Sequence, residues 1–221
     1  MTRLGWLSST PASFRAAVLD RCVAVMFDAG ETLYEAGDPA GGLYGLISGG
    51  LRVTISPSDR ATFSVHFFVP GSWVGEAAAI TGETRMVGLV ATRPTHTLYL
   101  PLQAVNEIIR QDPDALRWFV RLTQFHLVTA IGAMGDLMLK DPALRLAAAL
   151  LRLSGCRTET PAGLGPVDID LSQDELGDMS NVGRTVVNAN LRRLAREGWV
   201  ELSYRRVRVL APDMLRASLS R

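Results

Sequence analysis

The strongest constraint on this chain is a change of hydrophobic period near residue 100 of its 221. Between about residues 23 and 100 apolar side chains fall at every second position. Leu51, Val53 and Ile55 alternate with Arg52 and Thr54, and Phe63, Val65, Phe67 and Val69 with Ser64, His66 and Phe68. Such alternation belongs to strands with one buried face. Gly37-Asp38, Gly41-Gly42, Gly49-Gly50 and Pro70-Gly71 punctuate the runs where turns call for positive φ. Short, evenly spaced strands of this kind predict a small barrel or roll. From about 103 to 139 the spacing becomes three and four. Leu116, Phe119, Thr123, Leu127, Ala130, Met134 and Leu137 then form a coiled-coil-like stripe. The stripe fits a second copy of the same helix or the chain's own core. Arg117, Arg121 and Asp136 lie off it, which favours self-pairing, and Gly132 and Gly135 permit close approach.

Asp141-Pro142 reads as a boundary, with Asp capping a helix whose first position Pro occupies without loss. That helix runs from about 142 to 154 and ends at Gly155, and the Gly/Pro-rich stretch 161–166 leads into a second small domain. Charge divides at the same place. Residues 1–141 hold 11 basic and 13 acidic side chains, net −2, whereas 142–221 hold 12 and 9, net +3. Within 184–208, seven arginines (184, 192, 193, 196, 205, 206 and 208) face only Glu197 and Glu201, net +5. The chain's overall charge of +1 hides this concentration. Its basic side chains are 22 Arg and the single Lys140, which favours forked donors over point charges.

Several function classes are disfavoured. Cys22 and Cys156 are isolated, which excludes a disulfide scaffold and a four-thiolate metal site, and no metal is expected. His66, His96 and His126 show no i, i+4 pairing and read as ordinary strand or helix residues. No Walker sequence, His-Glu-x-x-His or nucleophile–base arrangement suggests an enzyme. Neither a signal peptide nor an apolar run of spanning length is apparent, so a cytoplasmic protein with no membrane partner is expected. Cys156, near the boundary, remains a candidate redox thiol.

Near the C-terminus, Ser172-Gln-Asp-Glu175 has capping-box spacing and predicts a helix through Leu176 to about Asp178. Arg184 to Arg196 predicts a second helix with Val187, Leu191 and Leu194 on one face, and Asn181 suits a left-handed turn between the two. Trp199 to Leu210 reads as two short strands around an Arg-rich turn. Helix, turn, helix and basic hairpin describe a winged helix-turn-helix. Arg184, Thr185, Asn188 and Arg192 leave the apolar face of the second helix, where Arg can take a guanine edge and Asn an adenine. Arg205, Arg206 and Arg208 suit backbone phosphates. A solvated basic helix in a protein-interaction domain is the competing reading.

The string Pro70 to Val87 carries the other chemistry. Gly75, Glu76, an Ala-rich single helical turn beginning at Ala77, and Arg85 nine residues after the Glu can build an anion pocket. Glu76 could accept from a ribose hydroxyl; alternatively, Glu76 and Arg85 pair across a loop.

The order of these parts resembles the CRP/FNR superfamily of bacterial transcription regulators, over about residues 15 to 210. The Gly75–Arg85 string resembles the phosphate-binding cassette of cyclic-nucleotide-binding domains. Leu171–Gly177 and Val182–Leu194 resemble the family's helix-turn-helix. The resemblance implies an α+β chain in three parts: a double-stranded, jelly-roll-like β-roll over 1–112, a dimerisation helix and hinge over 113–141, and a winged helix-turn-helix over 142–221. It implies a homodimer joined along the stripe on a two-fold symmetric site in double-stranded DNA, with RNA polymerase as a further partner. A hinge near Asp141 would relay effector binding. Carried over by position, Gly75, Glu76, Ala77, Arg85, Met86, Ala130 and Ile131 would contact the effector. Ser172, Arg184, Thr185, Asn188, Arg192, Arg205 and Arg206 would contact DNA.

Four departures qualify this. Met86 stands where the family has Ser, Thr or Ala, and Ala130 and Ile131 stand where cAMP-responsive members present hydroxyls, so the pocket is expected to be more apolar. Thr185 and Ala189 replace a Glu and an Arg common in relatives, which predicts a different target sequence. Ser180 and Asn190 fall at usually apolar positions. No iron–sulfur or haem ligand set is evident, and no cofactor is assigned. The effector is cAMP or cGMP, another small molecule, or none. An effector-independent regulator and a nucleotide-binding module acting on a protein partner are the alternatives.

Overall fold

The computed structural model describes residues 5–56 and 62–219; residues 1–4, 57–61 and 220–221, which the expected domains include, lie outside it. Its chain contacts divide it into two compact units, Met1–Val128 and Thr129–Arg221.

The first unit starts with a 3-10 turn (Trp6–Ser9) and helix α1 (Ala12–Leu19), then builds eight strands: β1 (Val23–Phe27), β2 (Thr32–Tyr34), β3 (Leu43–Ser48), β4 (Leu51–Ile55), β5 (Phe63–Phe68), β6 (Trp73–Val74), β7 (Gly88–Ala91) and β8 (Thr95–Leu100). They form two four-stranded antiparallel sheets, ordered β1-β8-β3-β6 and β2-β7-β4-β5. Leu46, Leu51, Val53, Val74, Leu89 and Ala91, from both sheets, make one core cluster. The alternation read in Leu51 and Val53 is therefore the inward face of β4, and in β5 Phe67 is buried. Gly37, Gly49 and Gly71 take positive φ, whereas Gly41, Gly42 and Gly50 do not. Gly42 is needed for another reason: a Cβ there would stand 2.0 Å from the Leu100 carbonyl oxygen on β8. A single turn, α2 (Glu76–Thr81), follows β6, and α3 (Leu102–Gln111) follows β8.

Pro113 separates α3 from the long α4 (Ala115–Leu137). The first turns of α4 complete the second core of this unit, in which Ala115, Phe119 and Leu122 pack with Leu7, Phe14, Val18, Trp73, Leu100, Val105 and Ile108. Phe14 and Phe119 meet edge to face at 5.2 Å, and the Trp6 indole N–H donates to the Trp118 carbonyl at 2.7 Å.

The second unit holds the remainder of α4, then α5 (Pro142–Leu153), β9 (Val167–Ile169), α6 (Gln173–Ser180), α7 (Arg184–Arg196), β10 (Val200–Ser203), β11 (Arg206–Val209) and α8 (Pro212–Ser218). Asp141 caps α5, accepting from the Ala143 N–H at 2.8 Å, with Pro142 at the first position. The strands form one antiparallel sheet ordered β10-β11-β9. Leu146, Leu150, Leu151, Leu176, Val187, Leu191, Leu194, Val207 and Leu215 are buried. Among the described residues no helix is long and apolar enough to cross a membrane.

Candidate functional site

In the second unit the capping box forms in full. Ser172 Oγ accepts from the Glu175 N–H at 3.2 Å, and a Glu175 carboxylate oxygen accepts from the Ser172 N–H at 2.7 Å. Ser172 is thus engaged as a helix cap. Asn181 takes φ 49° and ψ 53°, a left-handed conformation that lets the chain reverse between α6 and α7. The two unusual polar positions have local partners. Buried Ser180 donates to the Leu176 carbonyl at 2.6 Å, and the Asn190 amide donates to the Val186 carbonyl at 2.9 Å, each closing a bond one turn back along its helix.

Arg145, on α5, anchors this turn. Its Nε donates to Ser180 O at 3.0 Å and its Nη2 to Asn181 O at 3.0 Å, while Nη1 donates to Leu139 O (2.9 Å) and Lys140 O (3.2 Å). Buried Asp136 near the end of α4 pairs with Arg152 and accepts from Arg157 Nε (2.9 Å) and Nη2 (2.7 Å). The chain around Asp141, expected as a hinge, is therefore bound on both sides within this unit. No residue-level pattern announced Arg145, because all four of its acceptors are main-chain oxygens.

On α7, Arg184, Thr185, Ala189 and Arg192 are exposed and Asn188 is half-buried, opposite buried Val187, Leu191 and Leu194. Arg184 approaches Asp174 only loosely, at 3.5 Å. Ala189, Arg192, Ala195 and Arg196 line, with Leu202 of β10, an open groove of about 500 Å³. Among the described residues neither Arg192 nor Arg196 forms an ion pair. In the wing the expected phosphate contacts already have acidic neighbours. Arg206 Nε donates to Asp170 at 2.6 Å, and Arg208 binds Asp168 through Nε (2.7 Å) and Nη2 (3.1 Å). At the hairpin tip Arg205 has φ 53° and meets Glu175 at 3.7 Å. These acidic partners, Asp168, Asp170 and Glu175, lie upstream of the 184–208 arginine cluster.

In the first unit, Gly75 caps α2 with φ 99°, and the structure brings Gly75, Glu76, Ala77 and Arg85 together. Glu76 and Arg85 do not pair. Arg85, 6% exposed, donates from Nη1 to Gly75 O (2.9 Å) and from Nη2 to Gly42 O (2.8 Å), and its guanidinium lies over the Tyr34 ring at 4.2 Å. A Cβ at Gly41 or Gly75 would come within 2.7 Å of that guanidinium, so the two glycines keep its socket open. Burial pushes the Tyr34 hydroxyl pKa upward, with the Arg85 charge opposing, so this ring stays neutral. Buried Glu76 pairs instead with His126 of α4, Oε1 to Nδ1 at 2.9 Å. His126, read as an ordinary helix residue, is thus part of the cassette; fifty residues of separation left no local signal.

The remaining expected effector residues are Met86, Ala130 and Ile131. Met86 is 82% exposed, because its neighbour Arg85 takes the inward side of the chain, so it does not line an apolar pocket. Ala130 and Ile131 belong to the second unit and are exposed.

The stripe of α4 also needs correction at one position. Phe119 is 0% exposed inside the first unit's own core and presents no surface to a second chain. Leu116, Leu127, Ala130, Met134 and Leu137 are exposed, Thr123 is half-buried, and Val120, Ile131 and Met138 extend the exposed apolar face. A Cβ at Gly132 or Gly135 would meet nothing within 4 Å. Cys156 is fully buried, its Sγ near the Ser154 carbonyl oxygen, which removes the access a redox thiol needs.

Comparison with known proteins agrees with this layout. Residues 7–112 match the family model of the cyclic nucleotide-binding domain, and residues 144–218 that of the Crp-like helix-turn-helix domain. The chain is 23% identical over 215 residues to a CRP-like cAMP-activated global transcriptional regulator of Mycobacterium tuberculosis, covering 97% of this chain and 96% of that one. It is 28% identical over 196 residues to the transcriptional regulatory protein btr of Bordetella pertussis, covering 84% and 76%. Among solved structures, FixK2 of Bradyrhizobium japonicum superposes with a TM-score of 0.73 at 22% identity, covering 89% and 96%. A CRP/FNR-family regulator of Thermus thermophilus superposes with 0.64 at 25% identity, covering 90% and 99%.

Proposed function

Because the chain belongs to the CRP/FNR superfamily of transcription regulators, with that family's DNA-binding helix-turn-helix, we propose that it acts as a homodimer whose roll senses a small anionic effector. In this reading residues 1–112 form the effector domain, 113–141 the pairing helix and 142–221 the DNA-binding domain. The observation that carries the effector is Arg85. A guanidinium 6% exposed holds only neutral carbonyls and a ring, and among the described residues no carboxylate pairs with it. A buried charge of this kind calls for a counter-ion, and a phosphate entering the glycine-walled socket would supply one. Relatives described as cAMP-activated make cAMP the first candidate and cGMP the second. The exposed apolar face of α4 supports pairing through Leu116, Val120, Leu127, Ile131 and Met134. Arg184, Thr185, Asn188 and Arg192 are assigned to base edges in the major groove and Arg205 to phosphate. RNA polymerase is the expected downstream partner of such a regulator.

A second reading, regulation without an effector, is favoured by one observation: Glu76 already has a partner in His126. Calorimetric titration of the protein with cAMP and with cGMP separates the two. Saturable binding that disappears in Arg85→Ala supports the effector reading; no heat with either nucleotide, together with unaltered DNA binding in their presence, contradicts it for this ligand class.

A further inference from the structure

Three residues of β9 place acid beside the most basic part of the molecule. Strand β9 pairs antiparallel with β11 in the register Val207↔Ile169, Arg208↔Asp168 and Val209↔Val167. Val207, Val209 and Ile169 are buried, so period 2 turns Asp168, Arg208 and Arg206 to the outer face. There Arg208 takes Asp168 with a two-pronged grip of 2.7 and 3.1 Å, and Glu201 stands 3.7 Å away on its other side. Arg206 Nε meets Asp170 at 2.6 Å and its Nη1 stands 3.9 Å from Asp168. The Arg208 hydrogen bond holds the Asp168 carboxyl below the usual carboxylate range, so the acid stays ionised at neutral pH. The tip residue Arg205, by contrast, stands 3.7 Å from Glu175, beyond the two-pronged contact that Arg208 makes. On α7, Arg192 and Arg196 have no carboxylate among the described residues.

We propose that Asp168 and Asp170 are specificity-determining residues that withhold Arg206 and Arg208 from the DNA backbone, so that the wing touches phosphate through Arg205 alone. The inference rests on the DNA-binding reading above. Binding to DNA of arbitrary sequence comes almost wholly from cations meeting phosphates. An arginine that must release a carboxylate before taking a phosphate exchanges one anion for another and gains little. The released carboxylate then stands within a Debye length of the backbone and repels it. Base contacts from α7 are untouched by this exchange. The two carboxylates therefore lower affinity for random duplex more than affinity for the correct site, and widen the ratio between them.

The test is Asp168→Asn with Asp170→Asn in the full chain, measured by fluorescence anisotropy on a random-sequence duplex across salt concentrations. Two arginines become available, so log K against log salt should steepen by about 1–2, at roughly 0.9 per phosphate gained. Affinity for the random duplex at the low-salt end should rise about tenfold or more, and discrimination in favour of a duplex selected from a randomised pool should narrow. A folded variant with an unchanged or shallower slope would overturn the proposal. A second variant, Arg206→Gln with Arg208→Gln, tests it from the other side even if the first does not fold. Its slope should match the parent protein's, and a slope shallower by nearly 2 would mean that both arginines already bind phosphate. Parent protein that ignores the random duplex at low salt would overturn the DNA-binding reading itself, and the proposal with it.

Discussion

Arg184 opens α7 with its side chain exposed and Asp174 no nearer than 3.5 Å, so it is available for a base edge at little cost in lost partners. Arg184→Ala should weaken binding to the selected duplex by about 1–3 kcal/mol and relax preference at one base pair, read from a selection on a randomised pool. An unchanged preference would reject the role. The two cysteines make an opposite forecast. Burial pushes the Cys22 thiol up to about 11, and Cys156 is fully enclosed. Thiolate is the reactive form, so at pH 8 the folded protein should react slowly with a thiol reagent at both positions and fast only after denaturation. The sign follows from the raised value: Cys22 gains reactivity only as the pH climbs towards 11, and this contribution to stability is present at neutral pH and lost at alkaline pH. A fast thiol in native protein at pH 8 would contradict the burial.

At the scale of elements, α4 shows what a periodic pattern can and cannot resolve. Phe119 and Val120 both fit a three-and-four spacing, and the choice between them is made by the tertiary core, where Phe119 meets Phe14 at 5.2 Å. Two substitutions on one helix should therefore act differently. Leu127→Glu, on a side chain 58% exposed, should leave the fold intact and turn a dimer into a monomer by sedimentation. Phe119→Ala should cost about 3–5 kcal/mol of stability in a denaturant melt. A Leu127→Glu protein that stays dimeric would place the pairing surface elsewhere. The capping box, the left-handed Asn181 and the Arg184–Arg196 helix were legible because each is a local rule, satisfied within a few residues of itself. The C-terminal end of α6, which runs to Ser180 and not to about Asp178, and the whole of β9 were not: Val167-Asp-Ile169 is too short to show a period. With β9 unseen, nothing set Asp168 opposite Arg208, and the wing looked more basic than it is. Glu76 with His126 failed to appear for the related reason that their pairing exists only once the roll has closed.

For the whole molecule, the charge that would grip DNA is gathered into one unit and a candidate anion socket into the other. Both sides of the junction around Asp141 are held within the second unit, by Arg145 and by the Asp136 pairs. The order of parts along the chain carried the architecture, because strand, stripe and helix-turn-helix each leave their own period. Ligand choice was less legible, since it depends on which side Met86 faces and on who holds Glu76. The most direct trial of the account is the stoichiometry of its complex with a duplex selected from a randomised pool, by sedimentation at low salt with and without cAMP. Two chains per duplex, on a site with two-fold sequence symmetry, are expected. One chain per duplex on an asymmetric site, or no complex under either condition, would contradict that.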